Sequence, residues 1–319
     1  MKALSYQDIL LVPASIPSCV KSRGEVEVGS YFLDNYVSIP VIPANMDDVI
    51  NRSMVKKAVS ANVFYIYHRF ADTVDFCLKF PQYFLPLSIS VGIENDSYDL
   101  LNRLFYDHCI SPDFITVDVA NGHSPWVAKM IKFIKTKFLK SKVIAGNVAT
   151  IEGVNFLHSA GADAVKLGLA QGSICTTRHA TGFSIPMFTC VKNIKEAMMA
   201  GEIPKIPIIA DGGVKCTGDI VKALVAGADL VMCGRLFASC SDSAAKTRWG
   251  KKIYHGSTAY EKKKIKRHIE GICIKLQKGC TFLEKVDEIK QHLQSAVTYA
   301  GGKDLSCLKN VEWYEVNNV

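Results

Sequence analysis

The chain has 319 residues, 49% of them hydrophobic, and a formal charge of +8 from 38 Lys and Arg against 30 Asp and Glu. That is enough apolar material for one barrel-sized domain or two smaller ones, and no run approaches the ~18 apolar residues that a membrane span needs. The 11 cysteines lack a CxxC or paired short spacings. This argues against a disulfide framework or a zinc site and fits a reducing, cytoplasmic setting. The opening MKALSYQDILLVPAS has no continuous apolar core with a small-residue cleavage site, so it does not read as a secretory signal.

In chain order, short β-rich apolar runs occur at 37–44, 63–68, 85–91, 114–119, 142–148, 164–169, 207–211 and 230–234. Segments of helical period lie between them, at 49–61, 72–79, 97–108, 124–138, 151–160, 191–200 and 217–227. Near-continuous apolar strands alternating with helices predict a parallel sheet buried on both faces, and the number of repeats predicts closure into an α/β (β/α)8 TIM barrel. A doubly wound open sheet is the alternative; against it, no GxGxxG follows the first strand. The expected organisation is a single barrel domain over 1–319, with an N-terminal extension to about residue 36 and an active-site loop segment at about 239–272.

Polar residues gather where the predicted strands end. Asn45 and Asp47 follow the first, His68 and Arg69 the second, Asp118 and Asn121 the fourth, and Asn147 the fifth. Cys175 follows the sixth, Asp211, Gly212 and Gly213 the seventh, and Gly234 and Arg235 the eighth. Barrel active sites are built at that face, often with a phosphate held after strands seven and eight. Each residue has a plainer reading. Gly212 and Gly213 would serve any tight turn, Asp118 would serve as a helix cap, and His68 as a satisfied core histidine.

The stretch KLGLAQGSICTTRHATG, 166–182, holds the sharpest chemical signal. Most cysteines are small buried hydrophobes, and Cys77, Cys109, Cys190 and Cys233 stand in apolar contexts of that kind. Cys175 instead follows Gly172 and Ser173, whose backbone groups can cradle an anion. It precedes Thr176, Thr177 and Arg178, which offer hydroxyls for proton transfer and a cation that favours thiolate. It reads as a nucleophile. The basic run KKKIKR at 262–267 lacks interleaved aromatics and reads as a solvated helix face before a nucleic-acid site; a small anionic substrate is the other reading of the charge.

GSICTTRHATGF, IADGGVKCTGDIVKALVAGADLVMCG, IPANMD and DVANGHS, met in barrel order over nearly the whole chain, together resemble the IMP dehydrogenase and GMP reductase family of purine nucleotide enzymes. Dehydrogenases of that family usually carry a CBS-domain pair after the second strand, and a flap with an adjacent Arg-Tyr pair. Here YIYHRF runs on with no CBS insertion, and no such pair occurs between 239 and 270. DVANGHS and RHIEG also look like the reductase pattern, in its shorter bacterial type.

The resemblance implies NADPH-dependent reductive deamination of GMP to IMP, with Cys175 as covalent nucleophile and Thr177 and Glu270 as the proton shuttle. It implies Ser173, Gly212, Gly213, Gly234 and Arg235 around the 5′-phosphate, Asp211 on the ribose, and Gly256, Ser257 and Arg267 near the base. Arg69, Asp118, Val119, Ala120 and Leu169 match positions beside the nicotinamide. It also implies a homo-oligomer, a tetramer, and a K+ held by carbonyls at Ala170, Gly172 and Cys175. Ala170 departs from the family's glycine in that turn, and Arg235 stands where Ser or Gly is usual. IMP oxidation without CBS domains, a flavin-dependent phosphate-binding barrel, and a binding protein on a decayed barrel are the alternatives.

Overall fold

The structure, a computed structural model, describes residues 2–80, 86–259 and 269–316. Before the central sheet come a short strand β1 (Ile9–Leu11) and a hairpin of β2 (Ser30–Phe32) and β3 (Asn35–Val37). The central strands follow: β4 (Val41–Pro43), β5 (Ser88–Val91), β6 (Phe114–Asp118), β7 (Lys142–Val148), β8 (Ala164–Leu167), β9 (Ile208–Asp211) and β10 (Leu230–Cys233). They form one parallel sheet in the order β4-β10-β9-β8-β7-β6-β5, which places the first strand beside the last. A sheet ordered in this way has curled round on itself, as a TIM-barrel α/β fold requires.

The strand expected at 63–68 is the one departure. It lies beside β5 as extended chain, and only Tyr67 bridges, in parallel, to Ile89. The Tyr67 N–H donates to the Ser88 carbonyl at 3.0 Å and its own carbonyl accepts from Ser90 at 2.9 Å. The ladder stops there because a side chain takes part of its place. The Tyr65 hydroxyl donates to the Pro86 carbonyl at 2.8 Å and accepts from the Ser88 N–H at 3.3 Å.

Burial explains why these segments became strands. Every residue of β4, β5, β8 and β10 is buried, so the continuous apolar runs report a sheet covered on both faces. The helices start and stop where local chemistry dictates. Thr150 accepts from the Gly153 N–H at 3.1 Å to begin Ile151–Ala160, and Asn51 accepts from Met54 to begin Arg52–Ser60. The helix expected at 191–200 starts earlier, as Met187–Ala200, directly after Pro186. The stretch expected as helix over 97–108 is a helix Asn95–Asn102 that passes into a π turn at Arg103–Asp107.

After β10 come a short helix Arg235–Ala238 and an antiparallel sheet of β11 (Thr247–Arg248), β12 (Lys251–His255) and β13 (Cys273–Gln277). The long helix Phe282–Tyr299 follows, and β14 (Trp313–Glu315) returns to pair with β1. The long helix opens with a capping box in which Thr281 and Glu284 satisfy each other's backbone, a signature legible as TFLE. Its Phe282 is fully buried with its ring 5.1 Å from that of Phe237. Among the described residues no helix is long and apolar enough to cross a membrane.

Phe282→Ala removes a ring that packs the long helix against Phe237 of the short helix after β10. The variant is expected to lose about 3–5 kcal/mol of stability, read as a lowered urea midpoint with an unchanged slope.

Candidate active site

A cavity of about 320 Å³ opens at the carboxyl ends of the central strands, large enough for a small ligand. Its lining includes Cys175, Thr177, Glu270, Ser173, Asp211, Gly212, Gly213, Gly234, Arg235, Gly256 and Ser257. Arg69, Asp118, Val119, Ala120, Leu169, Ala170 and Gly172 line it as well. Arg267 and the basic run 262–267 lie outside the described residues. His68 is buried and not part of the lining, and Asp47 and Asn121 also stand apart from it. Asp118 does not cap the following helix; Ser124 does, accepting from Trp126 at 3.3 Å.

Three side chains form a directed chain of hydrogen bonds. The Cys175 thiol donates to Thr177 Oγ1 at 3.2 Å, and the Thr177 hydroxyl donates to Glu270 Oε2 at 2.5 Å. The backbone fixes this alignment between residues 93 apart in sequence. The Thr176 N–H donates to the Glu270 carbonyl at 2.8 Å, the Ile272 N–H donates to Ile174 at 2.9 Å, and Cys175 bridges antiparallel to Gly271. On its other side the cysteine loop is tied to the turn after β9, where the Gly213 N–H donates to the Gln171 carbonyl at 3.0 Å. Gly212 has φ 103° there, and a Cβ on it would lie 2.9 Å from Gln171 Cβ. The glycine is therefore required both by its conformation and by the close approach of the cysteine loop.

The base of the 256–272 segment is anchored by an acid beside a histidine. Asp48 Oδ2 accepts from the His255 backbone N–H at 2.7 Å and lies 2.9 Å from His255 Nδ1. Gly256 continues the tie, its N–H donating to the Ile272 carbonyl at 3.0 Å. Arg235 begins the short helix after β10, lines the cavity, and makes no ion pair among the described residues.

The cavity floor joins Asp118 and Asp211 through a lysine that the sequence reading did not single out. Lys166, on β8 and 1% exposed, has its ammonium 2.8 Å from Asp118 Oδ1 and 3.1 Å from Asp211 Oδ2. Asn45 donates to Asp118 Oδ2 at 3.0 Å, and Asn147 donates to Asp211 Oδ2 at 2.9 Å. Burial alone would favour the neutral form of Asp118, but Lys166, the Asn45 amide and Arg69 outweigh it and hold the carboxyl below its usual pKa. Burial likewise opposes the Lys166 charge, and the two carboxylates overcome it and raise its pKa. One signal was available in the sequence, a lysine flanked by Val165 and Leu167 in a strand buried on both faces, where a charge demands a partner.

Ala170 has φ 58°, so the turn keeps the left-handed backbone that glycine adopts freely, at a steric cost of about 1–2 kcal/mol.

Fold and site together define an α/β barrel enzyme with its ligand cavity at the strand carboxyl ends. The sequence model of the IMP dehydrogenase / GMP reductase domain matches residues 82–318, and the chain belongs to that family. It is 39% identical over 319 residues to the GMP reductase of Oceanobacillus iheyensis, covering 98% of this chain and 95% of that protein. It is 37% identical over 324 residues to the GMP reductase of Pediococcus pentosaceus, and 38% identical over 324 residues to that of Staphylococcus aureus strain Newman. Both alignments cover 100% of this chain and 98% of the relative.

The floor cluster gives a pH prediction. Asp118 has a depressed pKa when folded, so its contribution is fully present above the unfolded value of ~3.9 and is lost as pH falls through the folded one. Lys166, with a raised pKa, contributes below ~10.4 and loses that contribution as pH rises through its folded value. Asp118→Asn is therefore expected to cost about 1.5–3 kcal/mol, with a Tm deficit that is constant between about pH 5 and 9 and shrinks below about pH 4. Thermal melts of both proteins across this range check it.

Proposed function

We propose that this protein is a GMP reductase, converting GMP to IMP and ammonia at the expense of NADPH. The observation that carries this reading is the hydrogen-bond chain from Cys175 through Thr177 to Glu270. Glu270, acting through the Thr177 hydroxyl, takes the thiol proton as the Cys175 sulfur bonds to C2 of the guanine. The proton returns along the same path to the 2-amino group. The C2–N bond breaks with its electron pair leaving on nitrogen, ammonia departs, and C2 is left as a thioimidate on Cys175. Arg69, Asp118, Val119, Ala120 and Leu169 would hold a reduced nicotinamide, whose chemistry when bound would be donation of the hydride that C2 requires. Release of the sulfur as thiolate restores Cys175 and yields IMP.

Purine C2 offers few handles, so positioning comes from the remote ends of the nucleotide. Ser173, Gly212, Gly213, Gly234 and Arg235 would hold the 5′-phosphate. Asp211 would accept from the ribose hydroxyls through Oδ1, since Oδ2 already takes Asn147 and Lys166. Gly256, Ser257 and Arg267, from the active-site loop segment of about 239–272, would approach the base. Arg69, Asp118, Val119, Ala120 and Leu169 would line the nicotinamide side, across the sheet from β10.

A K+ ion held by carbonyls at Ala170, Gly172 and Cys175 would brace the cysteine loop. The Gly172 carbonyl already accepts from the Cys175 N–H at 3.0 Å, and the steps above need no cation. The same reading extends to a cytoplasmic homo-oligomer, a tetramer, acting on a free nucleotide with neither nucleic acid nor membrane as partner.

Mixing the protein with GMP and NADPH tests the reading. The nicotinamide absorbance band is expected to fall as IMP and ammonia appear, and a rise with IMP and NAD in place of any fall would instead make the protein a dehydrogenase. A visible flavin spectrum in the purified protein would point to the flavin-dependent alternative.

Arg235→Ser tests the phosphate assignment. A charge-assisted bond to phosphate is worth about 1.5–3 kcal/mol, so GMP affinity is expected to fall roughly ten- to a hundredfold while guanosine, which lacks the phosphate, binds as before. Calorimetric titration of both ligands decides it. Unchanged GMP affinity, or an equal loss for guanosine, removes Arg235 from the phosphate site.

A further inference from the structure

Lys166 does more than neutralise the cavity floor. Its two partners belong to different halves of the proposed site, Asp118 on the nicotinamide side and Asp211 on the ribose side. We infer that Lys166 is a positioning residue that couples these two halves, with one ammonium bridging both carboxylates at the cavity floor. The inference rests on the reading of the site as a nucleotide and nicotinamide pocket.

The strand register makes the sharing possible. Asp118 of β6, Gly146 of β7 and Lys166 of β8 stand side by side across three parallel strands. Lys166 must therefore reach past the middle strand to meet Asp118. A Cβ at Gly146 would lie 2.6 Å from Lys166 Cβ and 2.7 Å from the Lys166 carbonyl oxygen, so the missing side chain is what clears the path. Asp211 lies two residues beyond Ile209, the register partner of Lys166 on β9, and alternation along a strand puts Ile209 and Asp211 on one face.

Each carboxylate is further constrained by an amide. Asp118 spends one oxygen on Lys166 and the other on Asn45, whereas Asp211 receives both Lys166 and Asn147 on Oδ2. The two asparagines fix the directions of the carboxylates; the lysine supplies the positive charge that both share, and Arg69 adds to it at Asp118 alone. The floor then carries two negative charges and one positive charge. Removing the ammonium leaves two half-buried carboxylates in one cluster with no cation between them, and like charges so placed favour uptake of a proton. That proton is shared between the two sites, so both ligands are weakened and the loss shrinks as pH rises.

A purely structural ion cluster would look the same in the unliganded protein, so the test must read ligand binding. GMP affinity of wild type, Lys166→Met and the double variant Lys166→Met/Asp118→Asn is measured by calorimetry between pH 6 and 9. Binding of NADPH is measured in parallel by fluorescence. Wild type is expected to bind GMP with an affinity flat across this range. Lys166→Met is expected to lose at least about tenfold for both ligands at pH 7 and to regain GMP affinity as pH rises, because the protonated carboxylate ionises again. The double variant, with one carboxylate fewer to repel, is expected to bind GMP within a few-fold of wild type with no pH dependence.

A Lys166→Met protein whose affinities are unchanged, or reduced equally at every pH, overturns the coupling and leaves a structural cluster. If Lys166→Met does not fold, the double variant decides alone, and failure of the folded double variant to recover GMP binding overturns the inference. Failure of wild type to bind GMP would instead overturn the functional reading on which the inference rests.

Discussion

A lysine ammonium inside a curled parallel sheet has to find negative charge within reach, because nothing else there offsets the loss of water. Lys166 finds two carboxylates, and the geometry needed to deliver both runs through much of the barrel. β6, β7 and β8 must hold register to within one residue, the middle strand must carry no side chain at Gly146, and β9 must end with Asp211 on the inner face. A slip of one residue in any of these strands would turn its side chains to the opposite face and strand a buried charge. The cluster thus specifies register at the place where the strands deliver their functional residues to the cavity.

The cysteine loop meets a different constraint. It follows β8 directly, and its position is set by backbone hydrogen bonds from two sides, to Gln171 from the glycine turn after β9 and to Ile174 and Thr176 from the 270–272 segment. That double tie brings Glu270 to Thr177 and Thr177 to Cys175 across a long stretch of chain. The proposed proton path of two hydrogen bonds would be useful only if its members do not wander, and backbone ties on both sides hold them. The anchoring of His255 to Asp48 at the base of the same segment extends the support to the first central strand's loop.

The sequence made most of this legible where one physical signal dominated. Continuous apolar runs located β4 to β10 because those strands are buried on both faces. Most of the polar residues at their ends fell on one cavity, with Asp47, His68 and Asn121 outside it, because a parallel barrel collects strand termini at one rim. The segment at 63–68 was apolar enough to read as a strand, yet the Tyr65 hydroxyl replaced part of its ladder, an event no hydropathy pattern records. The β2–β3 hairpin turns through Leu33 and Asp34, both at positive φ, without the Asn-Gly or Asp-Gly pair that usually announces such a turn. Lys166 was visible but unread, because its meaning depends on Asp118 and Asp211, which only the folded register brings to it. Cys175 and Thr177 were legible from the make-up of their loop and Glu270 only through family resemblance; spacing alone would not have joined it to residues so far away.

The covalent step is the centre of the account, and trapping it tests that step most directly. Protein mixed with GMP in the absence of a reductant is quenched in acid within milliseconds to seconds, digested, and examined by mass spectrometry. The account predicts a nucleotide adduct, lighter than GMP by the elements of ammonia, on the peptide that contains Cys175 and on no other. Unmodified Cys175 in a preparation that goes on to form IMP when NADPH is added, with no loss of activity in Cys175→Ala, would contradict it.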